Sequence, residues 1–316
     1  MSPVVKNKRI TTVVDLLKFN HGVPRGTQGG RLAVVREWKS SSADRWLCSV
    51  VRIWGFIAAI DFNAKLNRRI WMKSIVVFGA TSSIAQHVMR NFARDKASFF
   101  LVARNAEKLR TIAEDLKSRG AKNVVVHTGE YLDFIDQRRI MERLDTEFPD
   151  FDSCVVAYGS LPDQTRCQKS SDALQDALTV NFTSVATLVE QFAAKFEGAG
   201  AGTIAVIGSV AGDRGRQSNY VYGSAKGALA LYLQGLRNRL FDSGVRVVTI
   251  KPGFVDTPMT SHLEQGPLFR SAESVGSAIY KALKGRADVV YVPWFWCIIM
   301  TIIRLIPEFV FKRLKL

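Results

Sequence analysis

From Met72 onward, short runs of β-branched and apolar residues alternate with longer stretches whose apolar residues recur at helical spacing. Seven runs read as strands: Ser74–Phe78, Ser98–Ala103, Asn123–His127, Ser153–Tyr158, Thr203–Gly208, Val245–Ile250 and Asp288–Val292. Their near-continuous apolar content indicates strands that are covered on both faces. Between them, segments such as Ala106–Arg119 and Tyr222–Asp242 carry charges between regularly spaced apolar residues. Strand and helix repeated about six times predicts an α/β fold with a doubly wound parallel sheet.

The segment after the first predicted strand is a turn of small residues, Gly79-Ala80-Thr81-Ser82-Ser83-Ile84-Ala85. Such a turn lets backbone N–H groups and a helix N-terminus approach a pyrophosphate closely. Two glycines of a G-x-x-x-G-x-G pattern are replaced, by Ser83 and Ala85, so this loop alone fits a dinucleotide site and a plain turn equally well. Arg104 ends the second strand, where an arginine suits the 2′-phosphate of NADP and an acidic residue suits NAD. The cofactor predicted is NADP(H), with NAD(H) as the alternative. The other interpretation is that Arg104 is a solvated arginine at a strand end with no role in binding.

Tyr222 and Lys226 form a YxxxK pattern in a predicted helix. Residues i and i+4 lie on one face of a helix, so the phenol and the ammonium are expected to point into the same cleft. A cation held there favours the phenolate and lowers the tyrosine pKa from about 10 toward neutral pH, as an acid/base requires. Ser209 lies 13 residues upstream, at the end of the fifth strand. Because parallel sheets bind ligands at the C-terminal edge, these three residues predict a catalytic site there.

Further positions complete a pattern that runs along the chain in a fixed order. They are the Gly79 loop, Arg104, Ala157-Tyr158-Gly159, Asn181, Ser209, Tyr222, Lys226 and Pro252-Gly253-Phe254-Val255-Asp256-Thr257. Over residues 72–292 this pattern resembles the short-chain dehydrogenase/reductase superfamily. The resemblance implies a single catalytic domain with a Rossmann fold that reduces a ketone to a secondary alcohol with NAD(P)H.

The resemblance also implies a role for each matching residue. Tyr222 would be the general acid/base, Lys226 would lower its pKa and bind the nicotinamide ribose, and Ser209 would hydrogen-bond the substrate oxygen. Asn181 would complete a catalytic tetrad by holding a water in the proton relay. The cofactor would contact Gly79, Thr81, Ser82, Ser83, Ile84, Arg104, Ala157, Gly159, Tyr222, Lys226, Pro252, Gly253, Val255 and Thr257. A catalytically idle dinucleotide-binding scaffold is the alternative of another class, but a pure binder has no need of a phenol beside an ammonium.

The sequence departs from the family pattern in the nucleotide half. Besides Ser83 and Ala85, the Asn-Asn-Ala-Gly that follows strand four in the family reads Val156-Ala157-Tyr158-Gly159 here. The acidic residue that the family places after strand three is absent, or displaced to Glu130 or Asp133. These differences concern the adenine and pyrophosphate contacts more than the chemistry.

A narrower resemblance appears in three segments: 211–222, Thr257–Leu263 and Ile306–Leu314. They are similar to the bacterial decaprenylphosphoryl-2-keto-ribose reductases. That similarity implies a keto-sugar on a polyprenyl-phosphate carrier as substrate, a role in cell-envelope glycan synthesis and a flavin-dependent oxidase as partner. It also implies a cytoplasmic enzyme at the inner membrane of a bacterium. Another hydrophobic ketone, such as a 3-oxoacyl chain or a steroid-like ketone, is the alternative substrate.

The C-terminal segment 293–316 is apolar and then basic. The uncharged stretch that begins at Val289 has 15 residues before Arg304, too few for the roughly 20 that cross a bilayer. Trp294 and Trp296, with the basic residues Lys312, Arg313 and Lys315, suit a helix that lies in the headgroup region of an anionic membrane. A dimer interface and a helix packed over the substrate cleft are the alternatives. We expect a homo-oligomer.

Residues 1–71 do not continue the strand and helix pattern. Their apolar stretch Trp46–Ile60 is interrupted by Arg52 and is too short to span a membrane, and no cleavage site of a signal peptide follows. Two interpretations remain, a basic interfacial extension or a start codon assigned too early. The second is favoured, because a Rossmann domain opens a few residues before its first strand, as Met72 does.

The net charge of +16, from 44 Lys and Arg against 28 Asp and Glu, suggests nucleic acid at first. However, residues 1–71 hold 13 of these basic residues and only 4 of the acidic ones, and no element interleaves basic with aromatic residues. We therefore expect no nucleic-acid partner. The four cysteines form no CxxC pair and lie far from the four histidines, so no metal site and no disulfide framework is expected.

Overall fold

The centre of the protein is a seven-stranded parallel sheet, seen in a computed structural model that describes residues 72–261 and 263–314. The expectations for residues 1–71, His262 and Lys315 lie outside the described residues. The sheet has the order β3-β2-β1-β4-β5-β6-β9, and every pairing is parallel. Its strands are β1 (Ser74–Phe78), β2 (Ser98–Ala103), β3 (Asn123–Thr128), β4 (Ser153–Val156), β5 (Gly202–Ile207), β6 (Val245–Pro252) and β9 (Val289–Val292). Two short strands, β7 (Val255–Asp256) and β8 (Arg270–Ser271), form a separate parallel pair.

Helices connect the strands and cover both faces of the sheet. They are α1 (Ser83–Arg94), α2 (Ala106–Ser118), α3 (Phe134–Glu147), α4 (Gln164–Lys169), α5 (Ser171–Leu178), α6 (Ser184–Ala199), α7 (Tyr220–Leu240), α8 (Ala272–Lys284), α9 (Phe295–Leu305) and α10 (Glu308–Phe311). A π-helical turn, Thr179–Thr183, joins α5 to α6. The prediction of a doubly wound parallel sheet is confirmed.

Two hydrophobic cores, one on each face, follow from the alternation of side chains along each strand. In β1, Ile75 and Val77 pack with the core that holds α1, α2 and α8. Val76 and Phe78 belong to the opposite core, beneath α3, α6 and α7. All four side chains are at most 1% exposed, which explains why these strands read as unbroken apolar runs.

The order of the strands also places the binding site. β1 lies between β2 and β4. The chain adds β2 and β3 on one side of β1 and then crosses back to add β4 on its other side. In open α/β sheets this reversal opens a crevice at the carboxyl ends of the strands. Gly79, Ala157 and Ser209 all follow strands at this edge.

Candidate active site

A cleft of about 300 Å³ lies at the carboxyl edge of the sheet. All fourteen residues predicted to contact a cofactor line it, and Ser209 lines it as well. Seven further lining residues were not predicted to contact a cofactor: Tyr131, Tyr158, Ile207, Gly208, Pro258, Met259 and Thr260. Asn181 does not line the cleft itself. It lies next to Gly159, which does.

The turn after β1 has the form of a phosphate cradle. Gly79 has a φ of +74°, and a Cβ on it would lie 2.8 Å from the backbone nitrogen of Tyr158, so only glycine fits. The Ser82 hydroxyl accepts a hydrogen bond from the Ala85 N–H at 3.5 Å and caps α1, whose N-terminus borders the cleft. Ser83 and Ala85 already belong to α1 and have no positive φ, so serine and alanine can replace the family's glycines there.

Arg104 and Tyr131 border the cleft at the ends of neighbouring strands. Arg104 follows β2 with its side chain exposed, and its guanidinium hydrogen-bonds the Tyr131 hydroxyl. Burial raises the pKa of Tyr131, while the charge of Arg104 opposes that rise. Tyr131 also packs on Tyr158, with ring centres 4.8 Å apart. A guanidinium at this place can pair with the 2′-phosphate of NADP.

The acidic residue expected after β3 is not at the cleft. Asp133 caps α3, where its carboxylate accepts a hydrogen bond from the Asp136 N–H at 2.9 Å. Glu130 is also absent from the lining residues, and Tyr131 takes this place. The only sequence signal for Tyr131 at this place was that it is a bulky aromatic residue between the acidic residues Glu130 and Asp133.

Tyr222, Ser209 and Lys226 meet at the inner end of the cleft. The Ser209 and Tyr222 side chains hydrogen-bond each other, and the Ser209 hydroxyl also accepts from the Ala211 N–H at 3.1 Å. The Lys226 ammonium lies 5.8 Å from the centre of the Tyr222 ring and donates to the Ile207 carbonyl at 3.4 Å. The helix therefore brings phenol and ammonium to one place, as their i, i+4 spacing indicates.

The pKa values at this site differ from the sequence-based expectation. Burial raises the pKa of Tyr222, and the hydrogen bond to Ser209 only partly offsets that rise. Burial also lowers the pKa of Lys226 to about 8, because the charged ammonium is removed from water. The expectation of a lowered tyrosine pKa was wrong for the protein alone, because desolvation of the phenolate outweighs the hydrogen bond to Ser209.

Asn181 is fully buried in the π-helical turn. Its side-chain nitrogen donates to the Ala177 carbonyl at 3.0 Å, and its side-chain oxygen accepts from the Ser160 N–H at 3.1 Å. A Cβ on Gly159 would lie 2.9 Å from that oxygen and 3.3 Å from the Lys226 nitrogen. Gly159 thus keeps the space between Asn181 and Lys226 open, which a hydrogen-bonded relay between the two side chains requires.

The opposite wall of the cleft depends on aromatic packing. The indole of Trp296 lies over Gly253, where a Cβ would come within 1.8 Å of its nitrogen. Phe254 packs on both Trp296, at 5.6 Å between ring centres, and Phe269, at 5.2 Å. Thr257 begins the next short turn with a capping box that it shares with Thr260. The contacts of Trp296 with Gly253 and Phe254 hold the predicted turn Pro252-Gly253 in place.

The segment after Ser209 is held by charged contacts. The Lys251 ammonium lies 2.5 Å from the Asp213 carboxylate, and the Tyr291 hydroxyl donates to the same carboxylate at 2.7 Å. Asp213 is 3% exposed at its side chain, so this ion pair is shielded from water. It anchors the turn Val210–Asp213, which carries Ser209 at its N-terminal end.

The C-terminal segment packs against the residues that follow Ser209. Trp296 and Met300 of α9 are buried in a small core with Val210. Arg214 holds α10: its guanidinium donates to the Arg304 carbonyl at 3.1 Å, pairs with Glu308 at 2.7 Å and covers the Phe311 ring at 4.1 Å. In the described part of the chain, no helix is long and apolar enough to cross a bilayer.

The residues present fit a dinucleotide. The left-handed Gly79, the capped N-terminus of α1 and the guanidinium of Arg104 supply a phosphate cradle and a second anion contact in one cleft. At its other end lie Ser209, Tyr222 and Lys226, which can polarise a carbonyl oxygen and deliver a proton to it. Within residues 72–261 and 263–314, no group of three or more His, Cys, Asp or Glu residues could hold a metal ion.

Comparison with known proteins gives the family. The family model described as short chain dehydrogenase matches residues 73–267. An uncharacterized oxidoreductase of Mycobacterium tuberculosis is 34% identical over 242 residues, which cover 76% of this chain and 96% of that protein. A second uncharacterized oxidoreductase, from Streptomyces coelicolor, is 31% identical and covers 77% of this chain and 96% of its own length.

Solved structures show the same fold at lower identity. A short-chain dehydrogenase from Sphingobium yanoikuyae in complex with NADPH aligns with a TM-score of 0.66 at 21% identity, over 76% of this chain and 96% of that one. A bulky-bulky ketone specific alcohol dehydrogenase from Comamonas testosteroni aligns with a TM-score of 0.65 at 20% identity, over 77% and 94%. The family match, supported by the two relatives above 30% identity, shows that the chain belongs to the short-chain dehydrogenases and is an NAD(P)-dependent oxidoreductase.

Proposed function

We propose that this enzyme reduces a ketone to a secondary alcohol with NADPH. The observation that carries the proposal is the meeting of Ser209, Tyr222 and Lys226 at one end of a cleft that has Arg104 at its other end. Bound NADPH supplies the hydride, which brings both electrons to the carbonyl carbon. The chain itself must then orient the ketone and deliver one proton to its oxygen.

Each polar group of the site has a step in this reaction. The Ser209 hydroxyl donates a hydrogen bond to the carbonyl oxygen and stabilises the charge that develops there. The Tyr222 hydroxyl gives its proton to the same oxygen, and the raised pKa of Tyr222 keeps it protonated until that moment. Lys226 stabilises the phenolate that forms, and Asn181, next to Gly159, holds the relay that returns a proton to Tyr222.

The test is a comparison of Tyr222→Phe with Tyr220→Phe, a phenol two residues upstream that is 43% exposed. We expect Tyr222→Phe to lower kcat by about 10³-fold, the range of general acid catalysis, while NADPH still binds. Tyr220→Phe should retain the wild-type rate. Equal rates for Tyr222→Phe and wild type contradict the proposed acid, and a wild-type protein that binds NADPH but reduces no ketone supports the scaffold alternative.

For the substrate we propose a keto-sugar on a polyprenyl-phosphate carrier used in cell-envelope glycan synthesis, with a flavin-dependent oxidase as the partner that produces the ketone. The exposed apolar and basic residues of segment 293–314 support a lipid-linked substrate. They also suit a 3-oxoacyl or steroid-like ketone, and one relative, at 28% identity, carries the name 11-beta-hydroxysteroid dehydrogenase-like 2. Relative kcat/KM values for the three ketone classes decide between them, and co-purification tests the oxidase.

We further propose a peripheral enzyme on the cytoplasmic side of a bacterial inner membrane that acts as a homo-oligomer. A groove between α6 and α7 supports self-association, because Leu231 is 70% exposed there beside Phe182 and Tyr232. Sedimentation of Leu231→Arg tests it: conversion of an oligomer to a monomer is expected. Unchanged mass contradicts this surface, and cell fractionation tests the location.

A further inference from the structure

The outer face of α9 is apolar over its whole length. Trp294, Ile298, Ile302 and Leu305 are 72%, 53%, 60% and 77% exposed. Their spacing of four, four and three residues places them on one side of the helix. Cys297 and Thr301, which are also exposed, lie between them and carry no charge. A monomeric protein rarely leaves such a stripe to water, so this face requires an occupant.

The apolar stripe continues past the end of α9 and has a basic border. Phe309 is 64% exposed in α10 and extends the stripe; we call Trp294, Ile298, Ile302, Leu305 and Phe309 the docking face. Arg304, Lys312 and Arg313 are exposed beside it. Glu308 is the one acidic residue in the sequence of segment 293–316, and it pairs with Arg214, so the described part of this segment offers these cations no other carboxylate.

Tryptophan, branched aliphatic residues and a basic border are the composition of helices that lie in the interface of an anionic bilayer. The apolar side chains enter the boundary of headgroups and acyl chains, and the cations pair with lipid phosphates. The groove around Leu231 is a separate candidate for contact with a second copy, so self-association does not require the docking face.

The docking face is firmly connected to the cleft. On the inner side of the same helix, Trp296 and Met300 are 3% and 1% exposed and pack against Val210, the residue after Ser209. Arg214, four residues further along, holds α10 by its contacts to Glu308 and Phe311. The position of α9 and α10 is therefore coupled to the segment that carries Ser209.

The rim of the cleft next to this helix is itself apolar. Met259 lines the cleft and is 41% exposed, and Leu268 is 38% exposed. Phe269, beside Leu268, stacks on Phe254, which in turn packs on Trp296. Phe254 lies between Gly253 and Val255, which both line the cleft, so its contact with Trp296 connects the cleft wall to α9.

We propose that the docking face binds the surface of an anionic lipid bilayer and holds the apolar rim of the cleft beside it, so that a hydrophobic ketone enters from the lipid. Binding to the bilayer rests on the peripheral membrane location proposed above and names the surface that would carry it. Entry of the ketone from the lipid rests on the proposed reductase function.

Flotation of the full chain with lipid vesicles tests the binding. The probe is a vesicle of phosphatidylcholine with phosphatidylglycerol, compared with pure phosphatidylcholine. The variant Ile298→Glu/Ile302→Glu puts two charges on the docking face, and its control is Ile135→Glu, an isoleucine of α3 that is 64% exposed. We expect wild type and Ile135→Glu to float with the anionic vesicles and the double variant to bind them at least about tenfold more weakly. Equal binding by the double variant overturns the proposal.

Two further measurements separate the other outcomes. In the absence of lipid, a fall in oligomer mass caused by the double variant shows that a second copy covers the face, which also overturns the proposal. With a water-soluble ketone the double variant should turn over like wild type, whereas with a ketone embedded in anionic vesicles its rate should fall with its binding. If wild type floats but reduces neither ketone, the docking face stands and the proposed reductase function fails. Equal rates on the embedded ketone overturn entry from the lipid.

Discussion

The two halves of the cleft are built in different ways. In the cofactor half, Gly79 and Arg104 directly follow β1 and β2, and strand register together with helix caps next to them along the chain sets their positions. In the ketone half, Val210, Phe254 and Trp296 come from distant parts of the sequence and meet in one small core. Arg214 and its partner Glu308 are 94 residues apart. Local geometry thus defines the cofactor half, while tertiary packing defines the ketone half, and a substitution should affect one function without the other.

Lys226, where the two halves meet, should give the largest effect. Lys226→Met removes the ammonium beside Tyr222, and we expect kcat to fall by about 10³-fold. The same change should stabilise the protein by about 3 kcal/mol at pH 7, because burial lowers the pKa of Lys226 from 10.5 to about 8. Between these two pH values the unfolded chain binds more protons than the folded one, so wild-type stability rises with pH and that of the variant does not.

Urea unfolding at pH 7, 8, 9 and 10 measures this difference. Lys281→Met, on the exposed side of α8, is the control and should change neither the stability profile nor kcat. A Lys226→Met protein that is less stable than wild type at pH 7 would show that the hydrogen bond from the ammonium to the Ile207 carbonyl outweighs the cost of burying the charge.

Gly79→Ala should break the cofactor half alone. The added Cβ meets the Tyr158 backbone at 2.8 Å in a left-handed conformation, and we expect NADPH affinity to fall by roughly 100-fold. Gly215→Ala, at the exposed residue after Arg214, meets no atom within 4 Å and should leave NADPH binding unchanged. Titration by NADPH fluorescence measures both; a similar loss in both variants would remove the distinction between the halves.

Arg104→Ser should change the choice between NADPH and NADH, a property of the cofactor half, without affecting the ketone. Loss of a charge-assisted contact to the 2′-phosphate is expected to raise KM for NADPH roughly 30-fold and to leave KM for NADH and for the ketone unchanged. Steady-state kinetics with both cofactors measure the ratio. An unaltered ratio of KM for NADPH to KM for NADH would mean that Arg104 is only a solvated residue at a strand end.

Arg214→Leu should give the smallest effect, confined to the ketone half. The contacts to Glu308 and Phe311 are partly exposed, so we expect KM for a hydrophobic ketone to rise about threefold with KM for NADPH unchanged. Arg214→Lys retains the charge and should lie between Arg214→Leu and wild type. A larger effect on NADPH than on the ketone would contradict the coupling of Arg214 to the C-terminal segment.

The sequence was sufficient for the cofactor half because its residues follow strand ends. Once the apolar runs locate β1 and β2, the cleft positions of Gly79 and Arg104 follow from topology. Tyr131 could not be predicted, because its place depends on Asp133 being used as the cap of α3. The two faces of α9 could not be predicted either: both are apolar, and only the packing of Trp296 over Gly253 decides which one is buried. The pKa of Tyr222 depends on burial, which no residue spacing reveals.

The π-helical turn that carries Asn181 has a consequence for how this site tolerates insertions and deletions. The Ser184 N–H donates to the Thr179 carbonyl, five residues back instead of four. The turn therefore holds one residue more than a regular α-helical turn would. Because the wider turn absorbs that residue, deleting one residue there would restore regular α geometry while α5 and α6 keep their orientation. Asn181, which lies within the turn, would then lose its position beside Ser160 and Gly159. Chain length in this short segment is therefore as constrained as residue identity.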